Sequence, residues 1–181
     1  MKRFLMSVGL LVLTTTTLSA QAKMPPKSPP AKATATVDGK TISIIYSSPR
    51  VRGREGKIFD KGGLISHDPH YPVWRAGANA ATTLETDADL TIGDLQVPKG
   101  KYTLFVDISD PDQWTLIVNK QTGEWGLAYN ASYDLGKTMM KMSKPPAMVE
   151  DLKWSIDLHG RKGSIRLAWE DHRASVPVEV H

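Results

Sequence analysis

The chain contains no cysteine. That excludes disulfides, a thiol nucleophile and thiolate metal sites in one step, and it leaves no residue for lipoprotein acylation. Long apolar runs are missing too. The one extended apolar stretch, Phe4 to Leu13, is too short to span a bilayer, which takes about 20 residues. No segment carries apolar residues at helical spacing over three turns. There is no G-x-S-x-G elbow, no H-E-x-x-H and no P-loop, so no common catalytic or cofactor motif assigns a reaction, and no cofactor is expected. Acid pairs such as Glu124 with Asp134, or Glu150 with Asp151, have no spacing that would place them across a glycosidic bond.

Strong charge of either sign is also lacking. Leaving out Lys2 and Arg3, 21 basic residues face 19 acidic ones, a net charge of +2. That is too mild for a nucleic-acid partner, and the one dense basic run is Arg50 to Lys57.

What is present begins with an export signal. Lys2 and Arg3 form a basic n-region, Phe4 to Leu13 the apolar h-region, and Ala20-Gln21-Ala22 an A-x-A cleavage site. Residues 1–22 are therefore expected to be a signal peptide cut after Ala22. The mature protein is expected to be periplasmic or secreted, with no stable membrane insertion. Residues 23–32 are proline-rich and read as an extended linker, since proline lacks the N–H that sheets and helices need. Residues 33–181 suit a single domain. With 40% hydrophobic residues and five tryptophans, it has enough apolar bulk for a core.

From Ala33 onward the pattern is of period two. Ala33 to Val37 and Thr41 to Tyr46 flank Asp38-Gly39-Lys40, a hairpin signal. Tyr102 to Val106 is apolar on both faces and reads as a central strand. Leu152, Trp154, Ile156 and Leu158 alternate with polar residues, as do Ile165, Leu167 and Trp169, and a last run holds Val176, Val178 and Val180. Thr138 to Met142 reads as one short strand. Such strands recurring about every ten residues indicate an all-β, single-domain antiparallel β-sandwich or jelly-roll-like fold. Two connections, Ser47 to Pro72 and Gln121 to Lys137, break the pattern. Connections this long are usually functional or mobile.

Three blocks resemble the bacterial secreted family known as domain of unknown function 2911. They are Tyr46-Ser47-Ser48-Pro49 through Arg52-Gly53-Arg54 to Ile58-Phe59; Val73 to Thr82; and Val97 to Phe105 through Trp114 and Val118-Asn119-Lys120 to Trp125-Gly126. The resemblance implies an exported bacterial protein. It implies no reaction and transfers no catalytic residue. The chain departs from the family pattern between Phe59 and Trp74, where Ser66-His67-Asp68-Pro69-His70 is inserted. A role for those histidines would be peculiar to this branch.

The block Pro72 to Thr82 joins an aromatic, a permanent cation, a glycine and an amide. Arg75 could clamp a carboxylate or phosphate, Trp74 could stack a flat ligand, and Asn79 could fix its orientation. Equally, Arg75 could tie the loop to a buried acid while Asn79 shapes a turn. Trp125, Tyr129, Asn130, Tyr133 and Asp134 suit carbohydrate binding, or else a plug over one end of the sandwich. His67 and His70 are weak metal candidates, because no third ligand is placed by spacing. Arg50, Arg52, Arg54 and Lys57 form a candidate anion site or a solvated loop. His159 and His172 read as exposed.

The leading expectation is a non-catalytic ligand-binding or envelope-accessory domain. Its site would be Trp74, Arg75, Asn79, Trp125, Tyr129, Asn130 and Asp134, for a small molecule or carbohydrate. The alternatives are a hydrolase on an envelope or imported substrate, with or without a metal at His67 and His70, and a structural or partner-binding module. Oligomeric state is left open.

Overall fold

Asp38 and Gly39 take φ of 51° and 73°. These are the two left-handed positions a type I′ hairpin turn needs. They join β1 (Pro30–Val37) to β2 (Lys40–Ser47), with Val37 opposite Lys40. The computed structural model describes residues 26–181. The signal peptide expected at residues 1–22 lies outside the described residues. β1 starts at Pro30, inside the segment read as linker.

The remaining strands are β3 (Val73–Trp74), β4 (Thr82–Thr86), β5 (Leu90–Ile92), β6 (Leu95–Val97), β7 (Gly100–Asp107), β8 (Thr115–Asn119), β9 (Asp134–Met139), β10 (Lys141–Ser143), β11 (Val149–His159), β12 (Lys162–Glu170) and β13 (His172–Val180). They form two antiparallel sheets. One runs β1-β2-β4-β7-β8-β9 with β3 beside β7; the other runs β11-β12-β13-β5-β6 with β10 beside β13. The sheets do not close into a barrel, and the architecture is the expected β-sandwich.

Period-two alternation explains the packing. Ile42, Ile44 and Tyr46 of β2, Leu152 and Trp154 of β11, Ile165, Leu167 and Trp169 of β12 and Val176, Val178 and Val180 of β13 are all buried in one core. Such cores are held mainly by apolar burial, about 1.5–3 kcal/mol for each large side chain. β7 is buried on both faces, as expected of a central strand. Phe105 of β7 lies outside the inter-sheet core and is covered instead by Tyr129, at 4.8 Å between ring centroids. Part of the Gln121–Lys137 connection therefore covers the outer face of the first sheet.

Three local expectations change. Thr138 to Met142 is not one strand: β9 belongs to the first sheet and β10 to the second, and the chain crosses at Met140, which is 1% exposed and donates its N–H to Trp114 O. His172 is not on an exposed face, because its ring stacks on Trp114 at 5.5 Å and 9°. The Ser47–Pro72 connection is not loose either, and it sends Phe59 between Trp74, Trp114 and Trp169, at centroid distances of 5.7, 5.0 and 5.8 Å.

Candidate functional site

The β11–β12 register shifts between Val149 and Lys153. This bulge leaves residues 150–152 without regular ladder partners on β12, and the Ser48–Val51 segment supplies them. Leu152 N–H donates to Pro49 O at 2.9 Å, Val51 N–H to Glu150 O at 2.9 Å, and Ser48 Oγ to Leu152 O at 2.7 Å. Two carboxylates extend the attachment: Glu150 Oε1 accepts the Arg52 N–H at 3.1 Å, and buried Glu170 accepts the Gly56 N–H. The arginine-rich loop is thus fixed to the second sheet through its backbone, leaving its side chains to point elsewhere.

Those side chains border a cavity of about 620 Å³. Lys27, Arg50, Arg52, Arg54 and Arg75 all line it, against one carboxylate, Asp68. Trp74 and Trp169, each 1% exposed, with Ile65 at 6%, form its apolar floor. Arg54 donates from Nε to Val51 O at 2.8 Å and from Nη2 to Arg50 O at 2.5 Å, and Arg52 Nη2 donates to Lys27 O at 3.2 Å. Arg50 pairs with Asp151 at 2.6 Å across the surface.

Arg75 and Asp68 face each other at 3.8 Å, with side chains 20% and 5% exposed. That is an ion pair and not a hydrogen bond. Asp68 Oδ2 and Arg75 Nε are buried without a hydrogen-bond partner, while Asp68 Oδ1 accepts the His70 N–H at 3.1 Å. Burial pulls the Arg75 guanidinium below its ordinary pKa, and Asp68 pushes it partly back.

The central block meets the Trp125–Asp134 connection, as expected. Gly126 N–H donates to Asn79 O at 3.2 Å, Ala80 bridges Trp125, and His70 Nε2 lies 2.8 Å from Leu127 O. A carbonyl only accepts, so His70 Nε2 carries the proton and is no metal ligand in this arrangement. His67 is exposed at the cavity wall. The one group of three metal-type donors among the described residues is Glu170, Asp171 and His172, and His67 and His70 are not in it.

Several expected site residues do other work. Trp74 is 1% exposed and stacks on Trp169 at 6.0 Å, so it offers no face to a sugar. Asn79 sits at φ 59° and shapes the turn, with its side chain 3.4 Å from Ser28 O. Asn130 accepts from Ser132 N at 3.0 Å and so caps the 3₁₀ turn Ala131–Tyr133. Tyr129 Oη donates to Asp134 Oδ2 at 2.9 Å, and Asn119 Nδ2 donates to Asp134 Oδ1 at 2.8 Å. Burial first, then the bond to Asp134 and the charges of Asp134 and Asp107, push the Tyr129 phenol well above its ordinary pKa. Trp125, at 58% exposure, and Tyr133, at 47%, are the aromatics of this connection free to meet a ligand.

A family model, described as "Protein of unknown function (DUF2911)", matches residues 28–178. The chain belongs to this family. No curated protein and no solved structure matched it.

In this DUF2911 chain the residues alone give two charged members of the cavity other parts: Asp68 reads as a possible metal ligand beside His67 and His70, and faces Arg75 instead, and Lys27 reads as part of a linker. Nor do the residues alone show that Arg75 and the Arg50–Arg54 loop share one cavity. Nothing local signals that, since the contacts fixing the loop run to residues 98 and more positions away.

Proposed function

We propose that this DUF2911 protein is an exported, non-catalytic β domain that binds a small anionic molecule in the cleft under its arginine loop. The observation that carries this reading is the convergence of Lys27, Arg50, Arg52, Arg54 and Arg75 on one cavity with a single carboxylate in its wall. Part of that charge is already answered: Asp68 faces Arg75, and Asp151 pairs with Arg50. The side chains of Arg52 and Arg54 bond only backbone carbonyls among the described residues. Their guanidinium charge is what remains for a ligand, and its planar fork suits a carboxylate or phosphate.

Export is supported by Lys2-Arg3, the Phe4–Leu13 run and the Ala20-Gln21-Ala22 site. Among the described residues no helix is long and apolar enough to cross a membrane. The hydrolase alternative with a metal at His67 and His70 finds less support, because those two histidines belong to no group of three metal-type donors among the described residues and the cleft they border is lined by five cations.

Calorimetric titration of the mature chain with citrate at low salt tests the reading. Binding is expected to weaken about tenfold or more in Arg54→Gln, as one charge-assisted hydrogen-bonding group is lost. Citrate binding that ignores both Arg52→Gln and Arg54→Gln would sink it. A second reading rests on Trp125, whose 58% exposure suits stacking against a sugar. There, Trp125→Ala and not Arg54→Gln would abolish binding of a neutral oligosaccharide.

A further inference from the structure

Two exposed leucines share the cleft with the arginines. Leu64 is 39% exposed and Leu127 is 36% exposed, and both line the cavity. One comes from the connection after β2 and the other from the connection between β8 and β9. A single exposed leucine needs no explanation. Two, brought from distant parts of the chain to one cavity above a buried floor of Ile65, Trp74 and Trp169, make an apolar wall.

The exposed lining is of two kinds: Arg50, Arg52 and Lys27 are exposed cations, and Leu64 and Leu127 are exposed apolar groups. The open part of the cleft therefore offers positive charge and apolar surface side by side. Size points the same way. A bare oxyanion has roughly the bulk of two or three waters, each about 30 Å³. It would leave most of a 620 Å³ cavity unfilled. Cavities of about 300–1,000 Å³ take ligands of drug size.

We infer that the ligand is a free amphipathic organic acid. Its carboxylate sits by Arg52 and Arg54, and an apolar body of several methylenes lies against Leu64 and Leu127. This rests on the anion-binding reading above and names the class of its ligand.

The test compares acetate, octanoate and octanol on the mature chain by calorimetric titration. Each buried methylene strengthens binding about three- to fourfold, so octanoate exceeds acetate by about tenfold or more even if only two are covered. The octanoate-to-acetate ratio falls toward one in a Leu64→Ser, Leu127→Ser double variant. Both leucines are partly exposed, so the variant is expected to fold, and its thermal unfolding is recorded alongside; the wild-type ratio needs no variant. Equal binding of acetate and octanoate overturns the inference and leaves the anion reading intact. So does an unchanged ratio in a folded double variant. Octanol binding as tightly as octanoate, with no effect of Arg54→Gln, overturns the anion reading itself. Failure of octanoate to bind at all overturns the inference.

Discussion

Arg75 and Asp68 face each other at 3.8 Å in the wall of the cleft, and Asp68 keeps only 5% of its side-chain surface. Removing the guanidinium leaves a carboxylate buried without a counter-charge. Arg75→Ala is expected to destabilise the fold by about 3 kcal/mol, the low end for breaking a buried pair, because Arg75 retains some solvent contact. Adding Asp68→Asn to Arg75→Ala removes the stranded charge and should recover part of the loss. Urea unfolding of the two single variants and the double reads the coupling directly. If Arg75→Ala alone unfolds like the wild type, the pair carries no structural role.

The strands were legible because each half-buried strand writes its two faces into alternate residues. Trp154 and Leu167, read as core from alternation alone, stand opposite each other in the β11–β12 ladder. The site was less legible. Trp74 belongs to the same aromatic cluster as Trp169, yet its strand is only two residues long, too short to show a period. The arginine loop looked solvated because its fixing bonds are made by backbone to a bulge about a hundred positions later. The split of β9 from β10 was hidden for a similar reason: Met140 is apolar like its neighbours, and nothing local marks a change of sheet.

Gly126 holds the two halves of the rim together by close approach. A Cβ there would lie 2.4 Å from Arg75 Cδ and 2.6 Å from Asn79 O. The arginine tail could swing away, but the carbonyl belongs to a turn fixed by backbone. Gly126→Ala is therefore expected to cost about 1–3 kcal/mol as an overpacked contact. Hydrogen exchange should show faster opening of the amides that follow Trp125. Unchanged stability and exchange would mean the loop is held elsewhere.

Tyr129 makes the fold sensitive to alkali. Its ordinary pKa is 10.0, and the folded protein raises it. A folded pKa above the unfolded one means that the native state holds the proton more tightly. The contribution is complete below pH 10 and is lost as pH rises through the folded value. Tyr129→Phe should cost about 1 kcal/mol near neutral pH, for the hydrogen bond to Asp134. The gap to wild type should narrow as pH climbs past 10, because the phenolate would then face two carboxylates. Urea unfolding at pH 8 and pH 11 measures this. A gap that is constant or widens between the two would contradict the assignment of the shift to the folded state.

Asp151 gives a prediction of opposite sign from the others. It neutralises Arg50 from outside the cavity, at 2.6 Å, with side chains 46% and 53% exposed. Such surface pairs contribute little stability, about 0–1 kcal/mol, so Asp151→Asn should fold and melt almost as the wild type does. Its effect on the cleft is electrostatic. Arg50 loses its counter-charge, and one more cation becomes available to an anion at the mouth. Octanoate and citrate should both bind more tightly, by a few-fold at low salt, since opposite charges near a surface gain about 1 kcal/mol or less. The gain should shrink as salt is added, because the screening length falls to about 10 Å at 0.1 M. Weaker binding in Asp151→Asn would mean that the acid orients Arg50 for the ligand and does not compete for it. The cleft would then depend on a positioned arginine more than on its summed charge.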